Sequence, residues 1–181
     1  MTTFAQCAAP LTARGIAVFP CGTDKRPLTR HGFKAATADS AQIDVWSAAH
    51  PDALVAQPTG RGSFVLDVDV DTGKGVDGFV TLRANGWDVP ATRTHTTRRG
   101  GAHYWFRVPE GMTVGCSAGK IGTGLDIRGT GGYVIRWDAH GGEVENTNDV
   151  LDAPVWLLDA IRATGKKDDH SAKAAQSLSQ V

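Results

Sequence analysis

The chain carries a run of alternating apolar and acidic residues, Phe64-Val65-Leu66-Asp67-Val68-Asp69-Val70-Asp71. A period of two predicts a strand. Phe64, Leu66, Val68 and Val70 then share one face, and Asp67, Asp69 and Asp71 share the other with Val65. Successive carboxylates on that face stand roughly 6.5–7 Å apart, two residues of strand rise. Like charges so placed repel unless a cation lies between them, and hard oxygen donors suit Mg²⁺ or Mn²⁺. The same alternation also keeps an exposed sheet edge soluble, so residues elsewhere must decide between the two.

Two further groups fall near predicted strand ends and could converge with it. One is Arg98-Arg99-Gly100-Gly101-Ala102-His103; the other is Leu125-Asp126-Ile127-Arg128-Gly129. Two-metal phosphoryl transfer needs carboxylates that bridge both ions, usually with a third on one of them. Asp67, Asp69 and Asp126 would supply that set. Positive charge for the departing phosphates is available from Arg98, Arg99, Arg128 and Lys25. His103 follows a Gly-Gly turn, where backbone can approach a ligand closely, and its ring can hydrogen-bond a phosphate oxygen. Taken singly, each has a simpler reading. Asp126 suits an ordinary exposed strand position, and His103 a satisfied surface histidine. Arg98-Arg99 and Lys25-Arg26 suit solvated turns, and the glycines from Gly129 to Gly132 a tight turn. The joint order is more specific than any member.

At 181 residues the chain suits one domain, or one plus a tail, and can bury a core without staples. Lys+Arg and Asp+Glu are equal at 19 each, so net charge points to neither nucleic acid nor membrane. Polyanion binding would need local clustering. Cys7, Cys21 and Cys116 are far apart, form no CxxC, and find no histidines at a zinc spacing. No zinc is expected, and free thiols of a reducing compartment are. No apolar run reaches the length of a membrane span. Met1-Thr2-Thr3-Phe4-Ala5-Gln6 lacks a signal-like stretch, which makes the cytoplasm the expected location.

The positioning elements read as follows. Residues 3–14 place Phe4, Cys7, Ala8 and Leu11 on one helical face, with Thr2 or Thr3 as cap and Gly15 as stop. Ile16 to Phe19 reads as a buried strand closed by Pro20. Residues 21–37 form a loop carrying Lys25, Arg26, Arg30, His31 and Lys34. A second helix starts near Asp39, with Ile43 and Trp46 on its apolar side. Ala53 to Ala56 is a strand, and 58–62 a turn. Beyond the acidic strand come a glycine loop at Gly73 and Gly75, and a helix with Phe79 and Leu82 that stops at Gly86. A strand at 92–97, a hairpin turn at 98–101 and a strand at 102–108 follow. The last sets Tyr104 and Phe106 opposite His103, Trp105 and Arg107. Strands at 124–128 and 133–137 are joined by Gly129 to Gly132. A final helix near Pro154 aligns Val155, Leu158 and Ile161, and the chain is polar from Gly165 on. Helices early and late around a strand-rich middle make the class α+β.

In order and spacing, four motifs resemble the bifunctional primase/polymerase (prim-pol) N-terminal domain of the archaeo-eukaryotic primase superfamily, found in phage and plasmid replication proteins. They are Lys25-x-Pro27, Asp67-x-Asp69, Gly101-x-His103-Tyr104-x-Phe106, and Leu125-Asp126-Ile127-Arg128-Gly129-x-Gly131-Gly132-Tyr133-Val134. The resemblance runs from about residue 4 to residue 163. It implies a small α/β N-terminal part beside an RRM-like antiparallel sheet module, with the active site in the cleft between them. It implies a catalytic domain at residues 1–164, and a tail at 165–181 that suits a linker to a downstream helicase domain. The implied activity is template-directed nucleotidyl transfer from dNTPs or NTPs to a primer 3′-OH on a DNA template, with Mg²⁺ or Mn²⁺, in the cytoplasm of a bacterial host. By position, Asp67, Asp69 and Asp126 match the metal carboxylates, and His103 the residue contacting the incoming triphosphate. Lys25 and Arg128 match basic positions that meet phosphates, with Arg98, Arg99 and Gly101 beside them. The chain departs from many relatives in having Gly101 in place of Ser and Asp69 in place of Glu. Its cysteines cannot build the zinc-binding insertion that some relatives use in primer initiation. Two rival readings are a DxD metal-dependent nucleotide-sugar transferase and a non-catalytic DNA-binding module tethering a helicase.

Overall fold

Local chemistry starts the first helix. The Thr3 hydroxyl accepts the Gln6 backbone N–H at 3.4 Å, and the Gln6 side chain accepts the Thr3 N–H at 2.8 Å, a reciprocal capping box. Helix α1 spans Phe4–Thr12 and buries Phe4, Cys7, Ala8 and Leu11, the face the periodicity predicts. The second helix, α2 (Ser40–Ala49), is capped by Asp39, which accepts the Ala41 N–H at 3.1 Å. The computed structural model describes residues 2–146 and 149–164; the expected linker at 165–181 lies outside the described residues.

Three strands form a small antiparallel sheet in the order β1 (Phe19–Cys21), β2 (Leu54–Pro58) and β10 (Tyr133–Ile135). Pro20 does not close the first strand as expected but lies inside it, opposite Val55. β1 is an edge strand, where a missing N–H can face away from the ladder. Val55 packs with α1 and α2, while Leu54 and Ala56 pack with Phe19, Ile135 and Trp137.

The larger sheet comprises β3 (Ser63–Val68), β6 (Thr94–Thr96), β7 (Ala102–Arg107), β8 (Ser117–Gly122), β9 (Leu125–Arg128) and β11 (Val144–Asn146). They lie in the order β11-β6-β7-β3-β9-β8, and a seventh strand, β12 (Leu151–Asp152), runs parallel to the end of β7. β8 lacks an apolar alternation, so sequence periodicity passed over it. Gly129 to Gly132 joins strands of different sheets, leading from β9 to β10. That crossing is pinned by buried Thr59, whose hydroxyl donates to the Gly129 carbonyl at 2.8 Å and whose N–H donates to the Gly132 carbonyl at 3.0 Å.

The acidic run is not one strand. β3 ends at Val68, and Val70–Asp71 (β4) pairs with Val76–Asp77 (β5) as a separate hairpin leading into helix α3 (Gly78–Ala84). Asp69 occupies the corner. Its N–H donates to the Gly124 carbonyl at 2.8 Å, and its carbonyl accepts the Gly78 N–H at 2.9 Å. Only glycine permits this crossing, because a Cβ on Gly78 would lie 2.3 Å from the Gly124 oxygen.

One face of the larger sheet presents Phe64, Leu66, Val68, Phe106, Leu125 and Ile127 to Leu82 of α3 and Leu157 of a helix α4 at 155–164. Burying each such side chain contributes roughly 1.5–3 kcal/mol. α4 is rotated from the expected face. Leu157 is fully buried whereas Val155 is 74% exposed. Trp156 sets the rotation: it stacks on Trp87 with ring centroids 4.8 Å apart and donates its indole N–H to the Asp88 carbonyl at 2.8 Å. The sheet's opposite face carries Val65 and Trp105 against Val134 of the small sheet. That face also holds the polar residues described next.

Candidate active site

Strand register builds the site. Asp67 lies directly opposite His103 on β7 and Asp126 on β9, and His103 lies opposite His95 on β6. Directly opposed residues have Cβ atoms about 4.5–5.5 Å apart, so four side chains form one row across four strands. Arg128, two residues beyond Asp126, shares its face. Asp69 joins from the corner after β3. Oxygens of Asp67, Asp69 and Asp126 all lie within 4.8 Å of one another.

Arg128 stands among these carboxylates. Its Nε donates to Asp67 Oδ2 at 3.3 Å, and a terminal nitrogen donates to Asp126 Oδ2 at 2.7 Å. The Gly119 N–H donates to the other Asp126 oxygen at 2.8 Å. His103 Nε2 sits 3.4 Å from Asp67 Oδ1, while its buried Nδ1 has no partner among the described residues. Burial pushes the Asp67 carboxyl up, but His103 and Arg128 outweigh it and hold the group below its ordinary value. Burial and the neighbouring Asp67 and Asp126 push Asp69 up. One guanidinium faces three carboxylates, leaving net negative charge on closely spaced hard oxygens. This donor set fits a divalent cation, and the three aspartates are the residues that would hold it.

The row opens into two adjoining cavities that share Lys25, Asp67, His103 and Trp137. One, of about 400 Å³, is also lined by Cys116, Arg128 and Tyr133; the other, of about 300 Å³, by Thr23, Asp69, Thr97, Arg98 and Arg99. These volumes fall at the lower end of small-molecule sites, roughly 300–1,000 Å³. Lys25 arrives from the loop after β1. It adopts the left-handed conformation at φ 66°, the only non-glycine residue to do so among the described residues. Its ammonium lies 5.7 Å from the Trp137 ring centroid, a cation–π distance, and the Tyr133 hydroxyl donates to its carbonyl at 3.0 Å.

The remaining sequence-selected residues fall on either side of this arrangement. Arg98 lines the smaller cavity. Arg99 does too, but its guanidinium is 2.8 Å from Asp71, which also meets Lys74 at 3.5 Å. Gly101 lies beneath the site: a Cβ there would sit 2.1 Å from the Val68 carbonyl oxygen. Glycine is required in this backbone, which accounts for the departure from Ser. Tyr133 and Trp137, expected only as strand residues, also line the larger cavity. Tyr133 is 108 positions from its partner Lys25, and no local spacing signals such a contact.

Behind His103 a second polar cluster joins the two sheets. Arg136 is 5% exposed. It donates to both oxygens of Asp138, at 2.9 and 2.6 Å, and to Gln57, and its guanidinium lies 5.8 Å from the Trp105 ring centroid. The Trp105 indole N–H donates to His95 Nδ1 at 3.2 Å, so that nitrogen is unprotonated. Burial pushes the His95 pKa from 6.5 down to about 4, with Asp138 opposing and Arg136 assisting. The folded value lies below the unfolded one, so this contribution is full above about pH 6.5 and is lost as pH falls toward 4. It amounts to about 3 kcal/mol. His140, lowered chiefly by burial, acts in the same sense. The thermal midpoint is expected to fall through this window, and His95→Asn to flatten the fall; an unchanged pH profile in the variant would refute the assignment.

These features define a mixed α/β domain of antiparallel sheets, with an acidic site suited to a divalent cation. The family model for the bifunctional DNA primase/polymerase N-terminal domain matches residues 8–156, and the chain belongs to that family. Membership implies nucleotidyl transfer in DNA replication, with DNA and nucleotides as substrates. No curated protein gives a significant match. Among the described residues no helix is long and apolar enough to cross a membrane.

Proposed function

We propose that this chain is the primase/polymerase domain of a phage or plasmid replication protein, acting in the cytoplasm of a bacterial host. In this reading residues 1–164 are the catalytic unit, and 165–181 lead to a downstream helicase domain. The larger sheet corresponds to the RRM-like module and the small sheet with α1 and α2 to the N-terminal part, with catalysis in the cavities they line. The observation that carries the reading is the convergence of Asp67, Asp69 and Asp126 within 4.8 Å, with Lys25 and His103 lining the same cavity as Asp67 and Asp69.

The primer 3′-oxygen attacks the α-phosphorus of a dNTP or NTP. The new P–O bond forms as the bond to pyrophosphate breaks, and the 3′-hydroxyl proton leaves to solvent. Asp67, Asp69 and Asp126 would hold a pair of Mg²⁺ or Mn²⁺ ions, which would supply Lewis-acid stabilisation of the α-phosphate and the leaving group. Lys25 and Arg98 bind the triphosphate, and His103, which lines both cavities, contacts a phosphate group. Arg128 orients Asp67 and Asp126 and adds positive charge beside the nucleotide. Arg99 lines the rim of the smaller cavity, and Gly101 sets the backbone under His103. Preorganised charge and positioning supply most of the rate.

The test is extension of a labelled primer on a DNA template, with dNTPs and NTPs separately, in Mg²⁺ or Mn²⁺, beside titration with nucleotide-sugars. Template-dependent extension is the expected result. Binding of nucleotide-sugars without extension would favour a DxD sugar transferase. Primer–template binding without incorporation would favour a non-catalytic tether.

Lys25 permits a separate test. The left-handed backbone costs a side-chain-bearing residue about 1–2 kcal/mol, and glycine removes that cost. Lys25→Gly is expected to keep or slightly raise the thermal midpoint while weakening dNTP binding about tenfold. Lys25→Ala should weaken binding as much without the gain in stability. Unchanged nucleotide affinity in both variants would remove Lys25 from the site.

A further inference from the structure

The loop after β1 concentrates positive charge in a chain that has none to spare. Between residues 22 and 35 stand Lys25, Arg26, Arg30, His31 and Lys34 against a single acidic residue, Asp24, although the whole chain carries 19 basic and 19 acidic residues. All five basic residues are exposed. Arg26 lies 3.7 Å from Asp24, with both side chains exposed, a pairing that water screens heavily. Arg30 and Lys34 make no ion pair among the described residues.

The loop holds these charges on a built backbone. The Gly22 N–H donates to the Arg26 carbonyl at 2.8 Å, the Leu28 N–H to the Pro20 carbonyl at 2.9 Å, and the Thr29 hydroxyl to the Gly32 carbonyl at 2.7 Å. Phe33 packs onto the core of the small sheet. One end of the segment already belongs to the acidic site, because Thr23 and Lys25 line the same cavity as Asp67, Asp69 and Arg98. A free nucleotide could engage Lys25 but would leave Arg26, Arg30 and Lys34 facing water. Repeated phosphates along a strand would satisfy them all.

We infer that residues 22–35 form an interface for a nucleic-acid backbone, in which Arg26, Arg30 and Lys34 contact phosphates of the strand entering the site at Lys25. The strand's direction rests on the polymerase reading; the phosphate contacts do not.

The experiment measures binding of the full chain to a fluorescent primer–template by anisotropy, across roughly 50 to 200 mM KCl. Each lost phosphate contact lowers the slope of log affinity against log salt by about 0.9 on duplex and about 0.7 on single strand. The variant Arg26→Gln/Arg30→Gln/Lys34→Gln is expected to lower the slope by about 2–3 and to weaken binding at least tenfold at low salt. The charge-keeping Arg26→Lys/Arg30→Lys/Lys34→Arg should retain both. Should the triple variant unfold, Arg30→Gln and Lys34→Gln singly should each lower the slope by about 0.7–0.9. A wild-type slope in the glutamine variants overturns the inference, as does tighter binding of wild type to anionic lipid vesicles than to DNA at equal salt. Wild-type extension in the same buffer keeps the two questions apart. Extension with an unmoved slope sinks the interface alone, whereas a reduced slope without wild-type extension sinks the polymerase reading alone.

Discussion

Asp67→Asn is expected to lower primer extension by about 10³-fold, a loss of about 4 kcal/mol in transition-state stabilisation. Asp67 is the buried centre of the row, flanked in register by His103 and Asp126 and held by Arg128. Asparagine keeps the shape and one acceptor oxygen but removes the charge. Metal affinity should fall along with the rate. Mn²⁺ binding followed by electron paramagnetic resonance therefore provides a readout independent of turnover. Asp71→Ala is the matched control: its carboxylate leaves the row with the β4 hairpin and meets Arg99 and Lys74 at the surface. Extension by Asp71→Ala should stay within a few-fold of wild type. Undiminished extension by Asp67→Asn would sink the metal assignment, and equal losses in both variants would mean that charge alone, not placement, matters.

Arg136→Ala is expected to destabilise the protein by about 3–5 kcal/mol, because it leaves the largely buried Asp138 carboxylate, 14% exposed, without its cation. For a chain of this size that is a fall in thermal midpoint of roughly 10 °C. Arg136 also bridges the small sheet, through Gln57, to Trp105 of the larger one, so extension should suffer beyond what unfolding explains. Adding Asp138→Leu should recover much of the stability, since removing both charges removes the desolvation cost. It should not restore the bridge between the sheets. Circular dichroism melts of the single and double variants, with extension measured well below the midpoint, separate these effects. A single-variant loss under about 1 kcal/mol would show that the pair is solvated.

The parts of the fold that depend on near neighbours were readable from residue types. Thr3, one of two candidate caps, caps α1, Asp39 caps α2, and the apolar faces of α1 and β7 follow their periods, because caps and faces are settled within one turn or two residues. Failures came where a distant partner overrode a local pattern. Val70 continues the alternation of β3 but pairs with Asp77 instead, once Gly78 and Gly124 cross at Asp69. Val155 has the spacing of a core residue, but the Trp87–Trp156 stack turns α4 so that Leu157 is buried. Gly129 to Gly132 joins the two expected strands, and only the tertiary structure shows that they belong to different sheets.

The candidate site divides along the same line. Residue type and spacing by themselves determined that Asp67 and Asp69 carry adjacent carboxylates, that Asp126 and Arg128 share a face, and that a charged, glycine-flanked turn precedes His103. Strand pairing alone decided that Asp126 and His103 stand on either side of Asp67 and that Arg128 threads between two carboxylates, and the loop after β1 brings Lys25 over Trp137 into the same cavity. The physical reason is range. Side-chain alternation is a property of one strand, whereas register is chosen by the burial of whole sheet faces, and nothing in the spacing around Asp67 specifies which strands will flank it.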